Sequence, residues 1–112
     1  MDKITVAVKK PGESLYVTSV EPTLENFKKL VDCEHLEGVR FDGSIFMYLD
    51  DLGKFKDKIP NFKWGINDVV VGNAVFIRAA FDGEEVSLTK TDITSIQSYL
   101  ATTSYPSCLF RH

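Results

Sequence analysis

A long apolar run late in the chain constrains the fold more than any other feature. Residues 69–81 read VVVGNAVFIRAAF, and before Arg78 their only polar side chain is Asn73. A strand that is apolar at successive positions is typical of the centre of a sheet, where both faces are covered. We therefore predict a central strand that starts near Asp68 and is buried at least through Ile77. Its glycine, Gly72, indicates a bulge or a close backbone approach.

Two hairpins are predicted from alternation of apolar and polar side chains. Residues 1–20 alternate on both sides of the turn Pro11-Gly12, and residues 36–49 do so around the turn Asp42-Gly43. Period-2 alternation bounded by such turns is the usual sequence pattern of a β-hairpin. A further short strand is expected over residues 85–88.

Two segments carry helical spacing. Residues 23–33 have an apolar stripe and a candidate N-cap in Thr23, and residues 91–102 have a second stripe. The sequence thus predicts one α+β domain over residues 1–105. We expect a mostly antiparallel twisted sheet of about five or six strands, with both helices on one face. Residues 106–112 are expected to form a flexible C-terminal tail.

Composition is that of an ordinary soluble globular protein. Of the 112 residues, 44% are hydrophobic and 26% are charged, and the formal net charge is −3. This charge has the wrong sign for a general polyanion binder. The start, MDKITVAV, lacks the organisation of a signal peptide, so we expect a cytoplasmic protein in which Cys33 and Cys108 are free thiols.

Residues 49–72 interrupt the regular succession of elements. Their middle fits neither the alternation of a strand nor the spacing of a helix, and irregular connections of this length are usually functional or disordered. Within them, residues 54–64 hold four lysines against one acid, together with the only Trp. The candidate partner-binding residues are Lys54, Phe55, Lys56, Lys58, Asn61, Phe62, Lys63 and Trp64.

Two interpretations of residues 54–64 are open. In the first, Phe62 and Trp64 anchor a partner while the lysines steer towards an acidic or phosphate-bearing surface. In the second, Phe55 and these two aromatics pin the loop to the sheet and the lysines are merely solvated. Exposure of each aromatic favours the first interpretation, and burial favours the second.

Two further clusters are weaker candidates. Asp50-Asp51 before Gly53 is expected to form a turn, because adjacent acids without further oxygen ligands are weak indications of a metal site. Residues 32–35 place Asp, Cys, Glu and His in a row, but zinc sites need convergent ligands, so we expect the end of a helix there. No nucleophile, base and orienting group can be assembled, and the sequence predicts no enzyme, cofactor or metal.

Several short motifs occur in a particular order along the chain. They are Lys10-Pro11-Gly12, Thr23-Leu24, Leu30-Val31, Glu37, the segment from Asp50 to Lys54, Asn61 and the segment from Asp68 to Ala74. In this order they resemble a family of small phage and mobile-element proteins of unknown function. The family pattern combines a PGK-type turn, a short helix, an NEEGK-type element, an Asn and a D-x-x-x-G-T/N-A strand, and the resemblance covers roughly residues 3–88. The chain departs from it at Glu13, where Lys is usual, and at residues 49–52.

The resemblance implies an accessory protein of a virus or mobile element. From it we expect a non-enzymatic protein that binds and inhibits a host protein complex, for instance a defence complex, in the host cytoplasm. One alternative is a small-ligand binder, as a monomer or an oligomer, that sequesters a nucleotide signal between Trp64 and the lysines. Another is a single-stranded nucleic-acid binder, whose affinity would fall steeply with salt.

Overall fold

Strand β7, Ala74–Ala79, lies at the centre of the structure, as the apolar run predicts. The computed structural model describes residues 2–106. Successive β7 side chains belong to two separate core clusters, with Phe76 in one and Val75 in the other, and both are fully buried. The predicted burial of both faces through Ile77 is therefore confirmed.

Besides β7, the main sheet contains five strands: β1, Ile4–Lys9; β2, Tyr16–Val20; β3, Leu36–Asp42; β4, Ile45–Asp50; and β8, Glu85–Val86. The sheet is antiparallel, in the order β2-β1-β7-β4-β3, and β8 also pairs with β7. Strands β1 and β2 form the first predicted hairpin, and β3 and β4 form the second, with Val39 opposite Met47. Strand β8 is shorter than predicted.

The two helices cover opposite faces of the sheet, so the expectation that both lie on one face is wrong. Helix α1, Leu24–Val31, buries Phe27 against one cluster, whereas α2, Lys90–Thr103, buries Ile96 against the other. The physical reason is the double-sided apolar character of β7, because each buried face needs its own cover.

Capping groups fix where both helices begin. The Thr23 side chain accepts a hydrogen bond from the Asn26 N–H at 3.1 Å, which confirms the predicted N-cap. Thr89 and Asp92 form a reciprocal capping box at the start of α2. Asp92 also accepts hydrogen bonds from Arg78 at 2.8 and 3.0 Å, and this ion pair joins α2 to β7.

A second, two-stranded sheet corrects two expectations. Strand β5, Pro60–Trp64, pairs with β6, Asp68–Val71, so residues 60–64 are regular rather than irregular. The run predicted as one central strand from Asp68 is divided, because Gly72 adopts a positive φ of 71° between β6 and β7. A positive φ departs from the extended backbone of a strand, and β6 and β7 accordingly belong to different sheets.

The predicted α+β class is confirmed, with two helices and an antiparallel sheet. Residues 107–112, which include most of the predicted tail and Cys108, lie outside the described residues. Within residues 2–106, neither helix has the length and apolar character that crossing a bilayer requires.

Candidate functional site

Asp50 organises the loop that follows β4. Its side chain is only 1% exposed, and one carboxylate oxygen accepts a hydrogen bond from the Leu52 N–H at 2.9 Å. The other oxygen lies 3.2 Å from the Lys56 Nζ and 2.9 Å from the Lys58 Nζ. The predicted turn at Asp50 is thus present. The Asp50 carboxylate also holds the chain that follows, through Leu52, Lys56 and Lys58.

The ionisation of Asp50 depends on these donors. Burial alone raises the pKa of the Asp50 carboxyl, but hydrogen bonds from Lys58, the Leu52 N–H and Lys56 outweigh it and hold the pKa below its usual value. The charge on Asp50 therefore neutralises much of the charge that the two lysines bring to the loop.

Lys54 and Lys63 differ in their surroundings. Lys54 forms an ion pair with Asp68, the first residue of β6, and this contact joins the loop to the β5–β6 hairpin. Among the described residues, no carboxylate lies within 4.0 Å of the Lys63 Nζ. Of the four lysines among the candidate partner-binding residues, three are paired with aspartates.

The aromatic side chains of the segment divide between core and surface. Phe62 is 0% exposed and packs near Phe76 and Tyr99, with ring centroids 6.3 Å apart in each pair. Trp64 is half-buried and stacks on Phe41 at 5.7 Å. Phe55, in contrast, is 87% exposed. Burial favours a structural role for Phe62 and largely for Trp64, and exposure favours a contact role for Phe55.

Asn61 is part of the interior rather than of a surface. It is fully buried, and its Nδ2 donates to the carbonyl oxygens of Lys9 and Gly72, each at 2.8 Å. Its Oδ1 accepts from the Lys9 Nζ at 3.0 Å. Asn61 therefore joins β5 to β1 and to the Gly72 turn, and cannot reach a partner in this fold.

A cavity of about 310 Å³ lies between Phe55 and Trp64. Its charged lining is mostly acidic and includes Glu37, Asp51 and the paired Asp68. A phosphate placed in this cavity would meet more carboxylates than ammonium groups, and like charges repel. The cavity is therefore better suited to an apolar or basic group.

Residues 32–35, one of the two weaker candidate clusters, have a structural role at the end of α1. Asp32 is the left-handed C-cap of α1, with φ at 63°. Burial and the nearby Asp50 raise the pKa of the Cys33 thiol, so it is poorly suited to act as a nucleophile. Residues 2–106 contain no group of three or more His, Cys, Asp or Glu side chains that could hold a metal ion.

Sequence reasoning missed two residues beneath this region. Lys9 follows Ala7 on the face of β1 that alternation assigns to solvent, yet α2 and β5 cover that face and Lys9 is buried. Tyr99 packs against Phe62 and Trp64, and its hydroxyl donates to the Lys63 carbonyl oxygen at 2.9 Å. Alternation shows which side chains share a face, but it does not show what covers that face.

Comparison with curated proteins and with solved structures gave no match. One family model matches residues 4–101, which is most of the chain. This agrees with the resemblance to a family of unknown function, although the match carries no information on phage or mobile-element origin. The chain belongs to the family described as a domain of unknown function, DUF3846.

Proposed function

We propose that this protein is a non-catalytic interaction protein that binds a partner protein through Phe55. The observation that carries the proposal is an aromatic side chain 87% exposed on a loop whose neighbouring residues are fixed by ion pairs. Large aromatics at the centre of a contact supply much of the binding energy in protein interfaces. A loop that is already ordered loses less entropy on binding.

A second apolar side chain supports the same surface. Ile66, at the tip of the β5–β6 hairpin, is 96% exposed. The Lys54–Asp68 ion pair joins the residue beside Phe55 to the residue two positions after Ile66. We name these two exposed residues and the cavity between Phe55 and Trp64 the Phe55 surface.

Charge favours a protein over a phosphate-bearing ligand at the Phe55 surface. Lys54 pairs with Asp68, and Lys56 and Lys58 share Asp50, while Glu37 and Asp51 are exposed at the cavity. The complementary surface is apolar at its centre and basic at its rim. The sequence-based alternatives, a nucleotide binder and a single-strand binder, have no such support at this loop.

The identity of the partner follows from the resemblance stated above. Small phage and mobile-element proteins act inside a host cell, so we propose a host protein as the partner, in the host cytoplasm. Inhibition of a host defence complex is the consequence that we propose for this binding. Here the support is association with the family, not a feature of the fold.

A pull-down from cells of the host tests the proposal. The bait is the full chain, as wild type, as Phe55→Ser and as Phe81→Ser. Phe81 is a matched control because it is also fully exposed, but it lies in the turn between β7 and β8. We expect wild type and Phe81→Ser to recover the same protein and Phe55→Ser to lose it. Equal recovery by all three baits would exclude Phe55 as the contact.

A further inference from the structure

A second cavity, distinct from the Phe55 surface, lies on the α2 side of the sheet. It has a volume of about 540 Å³ and is bounded by the turn over residues 12–15, by the last turn of α2 and by residues 104–106. Its wall includes Lys9, which sequence analysis did not select. None of the residues that line it lines the cavity beside Phe55.

Lys9 is a buried cation without a bound counter-charge. It is 3% exposed, and its Nζ donates to the Lys10 carbonyl oxygen at 2.9 Å and to the Asn61 Oδ1 at 3.0 Å. Both acceptors are neutral, and within residues 2–106 no carboxylate lies within 4.0 Å of this Nζ. Lysines are almost never fully buried unless they are paired. An ammonium has three donors, and one of them remains available.

Ser104, which also lines this cavity, supplies an unsatisfied group. Its Oγ is buried and has no hydrogen-bond partner, the one such side-chain atom in the described part of the chain. Ser104 is held in place by its β-bridge to Phe62 and by the hydrogen bond from the Tyr105 N–H to the Asn61 carbonyl oxygen at 3.0 Å. Asn61 thus links Lys9 to the segment that carries Ser104.

Unsatisfied buried polar atoms are uncommon in folded proteins, and a missing ligand is one of their explanations. A buried ammonium calls for a negative counter-charge, and an unpartnered hydroxyl can donate to the same acceptor. We propose that this cavity binds a small oxyanion, the phosphate or carboxylate group of a metabolite, with the Lys9 ammonium as its counter-charge. The Ser104 hydroxyl, whose hydrogen turns to suit an acceptor, is the second donor.

Glu13 also lines the cavity and opposes the anion. Burial lowers the pKa of Lys9, and the Glu13 carboxylate acts in the opposite direction without reaching ion-pair distance. An oxyanion in the cavity must therefore overcome repulsion from Glu13. Replacing this carboxylate with the isosteric amide is expected to strengthen anion binding.

Amide chemical shifts measured by NMR test the proposal. The full chain is titrated with inorganic phosphate, and separately with citrate, at constant ionic strength. We expect saturable shifts at Gly12 and Ser104, with Lys9→Met weakening the affinity about tenfold or more, since a charged hydrogen bond is lost. Lys10→Met removes the neighbouring charge and is expected to retain most of the affinity. Glu13→Gln is expected to bind more tightly.

A second variant, Ala101→Phe, keeps the proposal testable even if Lys9→Met does not fold. Ala101 is an exposed α2 residue at the cavity, so Ala101→Phe obstructs the space while leaving Lys9 and the core intact. We expect it to lose anion binding and to keep the wild-type melting temperature. Saturation by phosphate alone identifies a phosphate group as the ligand, saturation by citrate alone a carboxylate, and either supports the proposal. Absence of saturation by both anions, or equal affinities of wild type and Ala101→Phe, would overturn it.

Discussion

At the scale of single residues, Asp50 holds the loop after β4 in place through more contacts than any of the loop's lysines. Its buried carboxylate accepts three hydrogen bonds, from the Leu52 N–H and from the ammonium groups of Lys56 and Lys58. Removing one partner of a buried charge pair leaves the other uncompensated, which costs more than the pair contributes. Asp50 is therefore the residue whose loss the loop tolerates least.

We expect Asp50→Ala to lower the free energy of unfolding by about 2–4 kcal/mol, because the Leu52 N–H loses its acceptor and the Lys58 ammonium loses its counter-charge. Urea denaturation followed by circular dichroism measures the change. The matched control is Asp51→Ala, since Asp51 is adjacent but exposed, and we expect a change within about 0.5 kcal/mol. Similar losses in the two variants would show that Asp50 does not have the role assigned to it.

The lowered pKa of Asp50 also predicts a dependence on pH. The folded state holds this carboxyl below its ordinary value of 3.8, so at low pH the unfolded chain binds the proton more readily. The stabilisation is present above the ordinary value and is lost as pH falls through the folded pKa. Asp50→Asn lacks it at every pH. We expect the stability difference between wild type and Asp50→Asn to be largest at neutral pH and to shrink below about pH 5. A constant difference down to acid pH would contradict this.

At the scale of elements, strands with regular alternation were predictable and strand β5 was not. A bulge separates Pro60 from Phe62, so the adjacent side chains of Asn61 and Phe62 are both buried. A bulge places successive residues on one face and removes the period of two on which the prediction depends. Which face of the sheet each helix covers was equally beyond prediction. An apolar stripe shows that one side of α1 is buried, but it does not show against which face of the sheet.

Gly72, which the sequence marked as a bulge or a close approach, offers a test at this scale. Its φ is 71°, and a Cβ added there would lie 2.7 Å from the Lys58 Cδ, so Gly72→Ala meets both backbone strain and a clash. Gly65, in the β5–β6 turn, is a matched control with φ at 67° and no atom within 4 Å of an added Cβ. We expect Gly65→Ala to cost roughly 1–2 kcal/mol of backbone strain, and Gly72→Ala about 1 kcal/mol more. Thermal unfolding measures both, and equal costs would mean that Lys58 moves aside freely.

At the scale of the whole molecule, the sequence singled out residues 54–64 as a candidate segment, but it could not divide their side chains between core and surface. Residues 54–64 carry the composition of a binding loop, yet Phe62 and Trp64 pack against Phe41 and Tyr99, which are distant in sequence. Lys54, Lys56 and Lys58 likewise pair with Asp50 or Asp68. Such long-range contacts leave no local pattern in the sequence, and they decide which side chains remain exposed.

Unfolding free energies of Phe55→Ala and Phe62→Ala test most directly whether residues 54–64 divide into a buried part with Phe62 and an exposed part with Phe55. If Phe55 is free to bind because other residues hold its loop, Phe55→Ala changes the free energy of unfolding by no more than about 0.5 kcal/mol. Phe62→Ala, which empties a fully buried site, loses about 3–5 kcal/mol. A loss in Phe55→Ala as large as that in Phe62→Ala would show that Phe55 is part of the core, and would contradict its assignment as the contact residue.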